Sequence, residues 1–254
     1  MKKIALLLLI TCFTCTAQVK KGTLVWEENF NGNIIDEATW NFEVGDGCPN
    51  CGWGNNERQL YTTENHKVEN GNLVITAKKH DGEYTSTRIT TANKKEFKYG
   101  YIEARVKLPT GQGIWPAFWM LGSDIKKEGW PLSGEIDILE YLGRDPDMVY
   151  TTIHTKANHA GNATGKKTEF KNMEEGYHTF GIDWSKQAIT FYVDNVSVFT
   201  YAPKVKTIEN WPFDKPFFII LNMAIGGNFG GPEVDDSIFP QEYYIDYVKV
   251  YSAG

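Results

Sequence analysis

The sequence predicts an all-β protein, a single antiparallel β-sandwich. Three observations favour it: β-branched and aromatic runs recur from end to end, Gly (24) and Pro (10) interrupt the chain at short intervals, and no long segment has the helical period. The chain has 254 residues, 41% of them hydrophobic, and β-sandwiches of this length commonly form one domain. No internal repeat or low-complexity linker divides the sequence.

Residues 1–17 have the pattern of a secretory signal peptide. Two lysines after Met1 are followed by an apolar run from Ile4 to Ile10 and by small or polar residues up to Ala17. We expect cleavage there, which leaves residues 18–254 as the single domain of a secreted protein, extracellular or periplasmic. The apolar run is too short to be an anchor, and no later stretch approaches the roughly 20 apolar residues that a membrane span needs.

A surface lipoprotein is the less favoured alternative. It would need Cys12 or Cys15 as the acylated residue, but Thr11 and Thr14 precede them where Gly, Ala or Ser is more usual. Cleavage after residue 17 removes two lysines and no acid, so the net charge changes from −6 to −8. An acidic surface repels nucleic acid and anionic lipid, which favours a neutral partner. We expect the mature protein to be a monomer.

Cleavage would leave two cysteines, Cys48 and Cys51. Their spacing is that of redox motifs, but they lie in a Gly- and Asn-rich loop without a βαβ pattern, which disfavours thioredoxin-like chemistry. One pair cannot supply a four-ligand zinc site, and no His follows closely. The spacing therefore favours a small disulfide formed in an oxidising compartment.

Several segments have the composition of strands. Two of them alternate with period 2, which is typical of half-buried strands, and one is apolar throughout, as in a strand buried on both faces. Asp194-Asn195 lies between two further runs and tolerates positive φ, which predicts a two-residue hairpin. The predicted strands are residues 73–77, 101–108, 189–193, 196–199, 217–221 and 244–251.

The segment most informative about function carries three acids. In a strand, Glu135 and Asp137 share one face while the isoleucines beside them point into the core. Strict alternation would next place Leu139 beside the acids. A β-bulge at Ile138-Leu139 returns Glu140 to the acidic face, and bulges are frequent beside active sites.

Three carboxyl groups on one strip of sheet suit glycosidic bond cleavage. Retaining glycosidases need two carboxyl groups about 5 to 5.5 Å apart, one to attack the anomeric carbon and one to protonate the leaving oxygen. Asp137, between the two glutamates, would hydrogen-bond one of them and help to keep one carboxyl protonated. The alternative is a merely solvated strand face, but three acids without an interleaved cation repel one another.

Aromatic residues next to this segment favour a sugar ligand. Period 2 places Trp115, Ala117 and Trp119 on one face, with a small residue between two platforms on which sugar rings can stack. Two more tryptophans, Trp130 and Trp53, lie in predicted loops. For the pair in the strand, ordinary core packing is the alternative.

These motifs resemble glycoside hydrolase family 16, and within it the laminarinase-type endo-β-1,3-glucanases. The six-residue acid motif looks like the bulged form of laminarinases, agarases and carrageenases, whereas typical lichenases have a five-residue form. The resemblance covers essentially the whole mature chain, through residues 26–30, 53–57, 86–89, 111–121, 134–140 and 246–251.

The resemblance implies a jelly roll, similar to concanavalin A, whose concave face is an open glycan cleft. It implies Glu135 as nucleophile, Glu140 as acid/base and Asp137 as the assisting acid. His154 follows on the next strand, where it would reach the catalytic group, although a structural histidine is the alternative. The residues that match the family's cleft positions are Asn56, Arg88, Trp115, Trp119, Trp130 and His154.

The resemblance also implies a calcium ion on the convex side, away from the cleft. The matching positions are Glu28, Gly71 and Asp246, and carboxylate and carbonyl oxygens suit this hard cation. We expect a structural ion and no cofactor for catalysis.

The leading hypothesis is a secreted retaining endo-β-1,3-glucanase acting on laminarin-like or mixed-linkage glucan. The alternatives are a carbohydrate-binding lectin on the same sandwich, a transglycosylase, and an enzyme for another glycan such as agar. A lectin would also use Trp platforms, but only catalysis requires two glutamates at this bulged spacing.

Overall fold

The computed structural model describes Val19 and residues 21–254. The predicted signal peptide, residues 1–17, lies outside the described residues, as do Cys12 and Cys15. Within the described part, no helix is long and apolar enough to cross a membrane.

Strands are the main regular structure of the described chain, which also has two four-residue α-helices and three 3-10 turns. The bounds are β1 Leu24–Glu28, β2 Asn41–Glu43, a turn at Cys51–Gly54, β3 Gln59–Tyr61, β4 His66–Glu69, β5 Asn72–His80, β6 Glu83–Ser86, β7 Arg88–Thr90, β8 Glu96–Phe97, β9 Gly100–Lys107, β10 Ile114–Gly122, α1 Ile125–Glu128, β11 Glu135–Tyr141, β12 Met148–His154, a turn at Ala160–Asn162, β13 Thr164–Glu169, β14 His178–Trp184, β15 Ile189–Val193, β16 Val196–Tyr201, β17 Phe217–Ile225, α2 Gly227–Gly230, a turn at Asp236–Ile238, and β18 Gln241–Tyr251.

The strands form two sheets of a jelly-roll sandwich. The ten-stranded sheet has the order β16-β15-β14-β9-β18-β5-β6-β3, with β1 also on β18 and β4 also on β5. The eight-stranded sheet has the order β13-β12-β11-β10-β17-β7-β2, with β8 also on β17. The sheets are antiparallel as predicted, except that β3 and β6 pair in parallel.

Alternation along the strands builds the core between the sheets. In the eight-stranded sheet, Phe118 and Met120 of β10 and Ile136 of β11 point inward and are fully buried. Phe180 and Ile182 of β14 enter the same core from the ten-stranded sheet. The opposite face of the eight-stranded sheet, which we call the site face, therefore carries the acids and the tryptophans of β10.

The predicted strands are present, and most extend beyond their predicted ends. The segment that is apolar throughout lies in β17, whose nine residues are all buried. The hairpin between β15 and β16 turns at Asp194 and Asn195, which have φ values of 47° and 64°. Both residues occupy the left-handed region that this turn type requires.

The two cysteines are joined, as the sequence predicts. The Cys48–Cys51 disulfide lies in the exposed loop before β3, where Asp46 accepts a hydrogen bond from the Cys48 backbone N–H at 3.0 Å. The bond closes a loop of only a few residues, so it constrains the unfolded chain little.

Candidate active site

The acids of β11 are brought to one face by a β-bulge. Against β10, Leu139 pairs with Phe118 and Asp137 pairs with Trp119, which leaves Ile138 without a partner there. Against β12, the partners of Asp137 and Glu140 are Thr152 and Tyr150. Ile138 and Leu139 therefore lie opposite a single residue of β12. Ile138 and Leu139 are both fully buried in the core, so the predicted bulge is confirmed.

Glu135 begins β11, accepts a hydrogen bond from one ring N–H and lies near a second. Its Oε2 atom accepts a hydrogen bond from Trp130 Nε1 at 2.9 Å, and its Oε1 atom lies 3.7 Å from His154 Nε2. Trp130 comes from the loop before β11 and is 47% exposed, so this contact lies at the open surface of the site. Both groups favour a carboxylate at Glu135.

Asp137 faces the same imidazole nitrogen as Glu135. Its Oδ2 atom is 3.2 Å from His154 Nε2, and its negative charge adds to the rise in the pKa of Glu135. His154 Nδ1 accepts a hydrogen bond from the Ala160 backbone N–H at 3.1 Å. Because this nitrogen must then be unprotonated, the ring proton lies on Nε2, facing the two carboxyl groups.

Glu140 is only 9% exposed and has a separate pair of partners. Trp115 of β10 donates its indole N–H to Oε1 at 3.2 Å, and the Thr152 hydroxyl of β12 donates to Oε2 at 3.3 Å. The two glutamates therefore have different environments on the same face. His154 lies directly beside Glu135, whereas Glu140 lies beside an indole and a hydroxyl.

Burial and mutual repulsion keep the three acids from ionising together. Burial raises the pKa of Glu135 to about 8, with the Asp137 charge adding to this and the His154 ring opposing it. Burial likewise raises the pKa of Asp137 to about 8. The pKa of Glu140 is raised well above its ordinary value, by burial first and then by Asp137. At least one of the three carboxyl groups therefore keeps a proton, and Glu140 is the one without the direct imidazole contact that Glu135 and Asp137 have.

The tryptophans of β10 line the site face beside the acids of β11. Trp115 packs edge-on against Phe229 of α2, with ring centroids 5.5 Å apart. Trp119 donates its indole N–H to Asn222 of β17 at 2.7 Å. The Arg88 guanidinium lies 4.9 Å from the Trp119 ring centroid, and it also stacks on Trp53.

The predicted site residues thus fall into two groups. Hydrogen bonds or close charge contacts join the acids with Trp115, Trp130 and His154. Trp119 lies opposite Asp137 in the register of β10 with β11, and Arg88 stacks on its ring. Asn56 contacts none of the acids by hydrogen bond. It donates instead to the Asn228 side chain of α2 at 2.7 Å, which ties the loop before β3 to the end of β17.

Sequence reasoning missed several polar residues beneath Trp119. Asn222 donates to the Tyr61 hydroxyl at 2.9 Å, and that hydroxyl donates to Glu57 at 3.3 Å. The chain of hydrogen bonds from Glu57 to Trp119 crosses strands that are distant in sequence. Burial raises the pKa of Tyr61, so its hydroxyl remains a donor.

Further contact residues were also missed. No sequence motif marks the positions of Thr152, Tyr150 and Phe229. The two-residue period of β12 would nevertheless place Tyr150 and Thr152 on the same face as His154. His159 packs edge-on against Trp130 with ring centroids 5.3 Å apart.

Two groups of described residues have the side chains of a metal site. Glu135, Asp137 and His154 place ligand-type atoms within 4.8 Å of one another, and so do Asp46, Cys48 and Cys51. The first group consists of the acids and imidazole already described. In the second, both sulfurs are engaged in the disulfide, so no thiolate remains to bind a metal.

The predicted calcium residues offer oxygen ligands away from the acids. Glu28 accepts hydrogen bonds from the Phe30 backbone N–H at 2.9 Å and from Trp40 Nε1 at 3.4 Å. Asp246 lies at a bulge in β18 and pairs through Oδ2 with Arg105, which leaves Oδ1 for another partner. Gly71 follows β4 in the turn to β5. Carboxylate and carbonyl oxygens are the ligand types that a hard cation takes.

Comparisons with known proteins agree with this geometry. The family model of glycosyl hydrolases family 16 matches residues 54–249. The β-glucanase of Rhodothermus marinus is 40% identical over 247 residues, which cover 90% of this chain and 84% of that protein.

Solved structures give the same result. The laminarinase from Flavobacterium sp. UMI-01 superposes with a TM-score of 0.90 at 64% identity, covering 91% of this chain and all of that one. SCLam, a non-specific endo-β-1,3(4)-glucanase, superposes with a TM-score of 0.86 at 38% identity over 94% of each chain. The chain therefore belongs to glycosyl hydrolases family 16 and is a glycoside hydrolase of the laminarinase type.

Proposed function

We propose that the protein is a secreted retaining endo-β-1,3-glucanase that cleaves laminarin-like glucan by double displacement. The observation that carries this proposal is the contrast between two glutamates on one face. Glu135 faces the Trp130 N–H and the His154 ring, and both oppose the rise in its pKa that burial causes. Glu140 is buried between an indole N–H and a hydroxyl, without a direct imidazole contact, and burial raises its pKa as a general acid requires. Asp137 and His154 connect the two glutamates electrostatically.

In the first step, Glu135 attacks the anomeric carbon while the glycosidic C–O bond breaks. Glu140 gives its proton to the departing oxygen and becomes a carboxylate, which leaves a glycosyl ester on Glu135. Trp130 Nε1 and His154 orient the attacking carboxylate. Asp137 stays next to Glu135, where its contact with His154 Nε2 holds the imidazole beside the nucleophile.

In the second step, the Glu140 carboxylate takes a proton from a water molecule. The water oxygen bonds to the anomeric carbon from the face opposite Glu135, and the ester C–O bond breaks. Both glutamates return to their starting protonation states. A sugar hydroxyl in place of water would give transglycosylation by the same steps, and a product profile on laminarin distinguishes the two outcomes.

The substrate is proposed from the surface chemistry and from the relatives. Trp119 and Trp130 present accessible ring surface at the site for stacking, whereas Trp115 is buried against Phe229, and the acidic chain disfavours polyanions. The structural relatives are named as a laminarinase and as an endo-β-1,3(4)-glucanase, which supports β-1,3-glucan with tolerance of mixed linkages. The sequence pattern of residues 1–17 supports secretion.

The stereochemistry of the first product tests this mechanism. Double displacement inverts the anomeric carbon twice, so proton NMR during laminarin cleavage should show the β-anomer of the new reducing end first. The α-anomer then grows by mutarotation. Initial release of the α-anomer would mean that water attacks directly, and the assignment of Glu135 as nucleophile would be wrong.

We also propose a structural calcium ion bound by Glu28, Asp246 and a backbone carbonyl at Gly71. Such an ion would join β1 to β18 and to the turn after β4, and it would take no part in bond cleavage.

Chelation tests the calcium proposal. Because an ion that binds only the folded state stabilises it by mass action, EDTA should lower the Tm and added calcium should restore it. The products from laminarin should stay the same. Asp246→Asn should show a reduced response to EDTA, with the surface variant Asp81→Asn as the control. An unchanged Tm together with no calcium in elemental analysis would contradict the proposal.

A further inference from the structure

The two hydrogen-bond partners of Glu140 differ in chemical kind. The Trp115 indole N–H can only donate, and it points at Oε1. The Thr152 hydroxyl lies at Oε2 and can either donate or accept. The difference matters because the proposed reaction, on which this inference rests, requires Glu140 to lose a proton in one step and regain it in the next.

The geometry restricts where that proton can lie. Oε1 always faces an indole N–H, so a proton on Oε1 would leave two hydrogens opposed. The proton of the acid form therefore belongs on Oε2, beside Thr152. When Glu140 is ionised, the hydroxyl can turn and donate to the same oxygen.

We propose that Thr152 is a positioning residue for Glu140, whose hydroxyl accepts from the carboxylic acid and donates to the carboxylate. It keeps the proton on Oε2 and the side chain in one place through both steps. The proton passes from Oε2 to the leaving oxygen in the first step and returns from water to Oε2 in the second.

The fold provides the position for this hydroxyl. Thr152 lies opposite Asp137 in the register of β12 with β11, just before the bulge. On its other side it pairs with Gly165 of β13. A Cβ atom at residue 165 would lie 2.4 Å from the Thr151 carbonyl oxygen and 3.2 Å from Thr152 Oγ1. A glycine there keeps the backbones close and the hydroxyl uncrowded.

The preceding residue supplies a matched control. Thr151 lies on the same strand, is buried, and its hydroxyl faces the Lys166 carbonyl oxygen at 3.4 Å rather than a carboxyl group. Thr151→Val and Thr152→Val remove the same atom from adjacent positions on opposite faces of β12. Thr152→Ser keeps the hydroxyl at the site and serves as the conservative variant.

The experiment compares leaving groups on aryl β-glycosides of a β-1,3-linked glucose disaccharide. Phenol departs well only when protonated, whereas 2,4-dinitrophenolate departs without an acid. Thr152→Val should lower kcat/KM for the phenyl glycoside about tenfold, with KM little changed, and should lower it less than about twofold for the dinitrophenyl glycoside. Thr152→Ser should restore the phenyl rate to within about threefold of the wild type, and Thr151→Val should change neither.

Three results would overturn the proposal: equal losses on both substrates, a Thr152→Ser rate no better than that of Thr152→Val, or no loss at all. If Thr152→Val lowers the Tm more than Thr151→Val does, the leaving-group dependence is compared between Thr152→Ala and Thr152→Ser instead, because both have smaller side chains. Release of the α-anomer by the wild type would instead contradict the retaining mechanism. If the wild type releases the β-anomer and Thr152→Val loses activity equally on both substrates, only the role of Thr152 is contradicted.

Discussion

Glu135→Ala is expected to lower kcat on laminarin by about 10⁴-fold or more, because no glycosyl ester can form without the nucleophile. The variant should still fold, since Glu135 begins β11 and contributes no atom to the core. Added azide should restore part of the turnover on an activated β-glycoside. The small anion would enter the space left by the carboxylate and attack from the same side, giving the α-glycosyl azide.

The exposed acid Glu128 provides the control for this variant. It lies at the end of α1 and pairs with Lys127 at 2.8 Å, so Glu128→Ala should retain wild-type turnover and show no azide effect. Formation of a β-glycosyl azide by Glu135→Ala would contradict the assignment, because the anion would then have attacked from the side opposite to residue 135.

Glu140→Ala should give the second large loss, but one that depends on the leaving group. Laminarin has a poor leaving group, so kcat should fall by about 10²- to 10⁴-fold, the range typical of a lost general acid. A dinitrophenyl β-glycoside should still form the glycosyl ester on Glu135. Because no general base remains, the ester should accumulate, and mass spectrometry of the enzyme should detect it.

Azide also distinguishes Glu140 from Glu135. With Glu140→Ala, azide should attack the ester from the face opposite Glu135 and give the β-glycosyl azide. The α-azide from this variant, or an equal loss on laminarin and on the dinitrophenyl substrate, would show that Glu140 is not the acid/base. Trp115→Phe is the milder companion variant, since it removes one hydrogen bond to Glu140 and leaves the carboxyl group in place.

Local periodicity was sufficient to predict the acid strip and the tryptophan pair. The two-residue period of a strand determines which face each residue of β10 and β11 occupies. Strict alternation would put Leu139 on the acidic face, so Glu140 can share that face with Glu135 only if the strand has a bulge. The hairpin at Asp194-Asn195 was predictable for the same reason, because its conformation depends on two adjacent residues.

Contacts that depend on strand order were not predictable in this way. Thr152 meets Glu140 only because β12 pairs with β11 in one register. Asn222 reaches Trp119 because β17, distant in sequence, is the other neighbour of β10. The parallel pairing of β3 with β6 depends likewise on how the chain crosses the sheets. The register between strands that are distant in sequence cannot be predicted from composition or from the spacing of motifs.

The bulge in β11 has a consequence for how the gene can change. Loss of the codon for Ile138 or Leu139 would remove the extra residue, and regular alternation would then keep the shifted glutamate on the face of Glu135 and Asp137. Loss of the codon for Ile136 would instead move the residues on one side of the deletion to the opposite face. A descendant that loses one residue at 138–139 therefore keeps both glutamates on the face of Asp137, whereas a descendant that loses Ile136 does not.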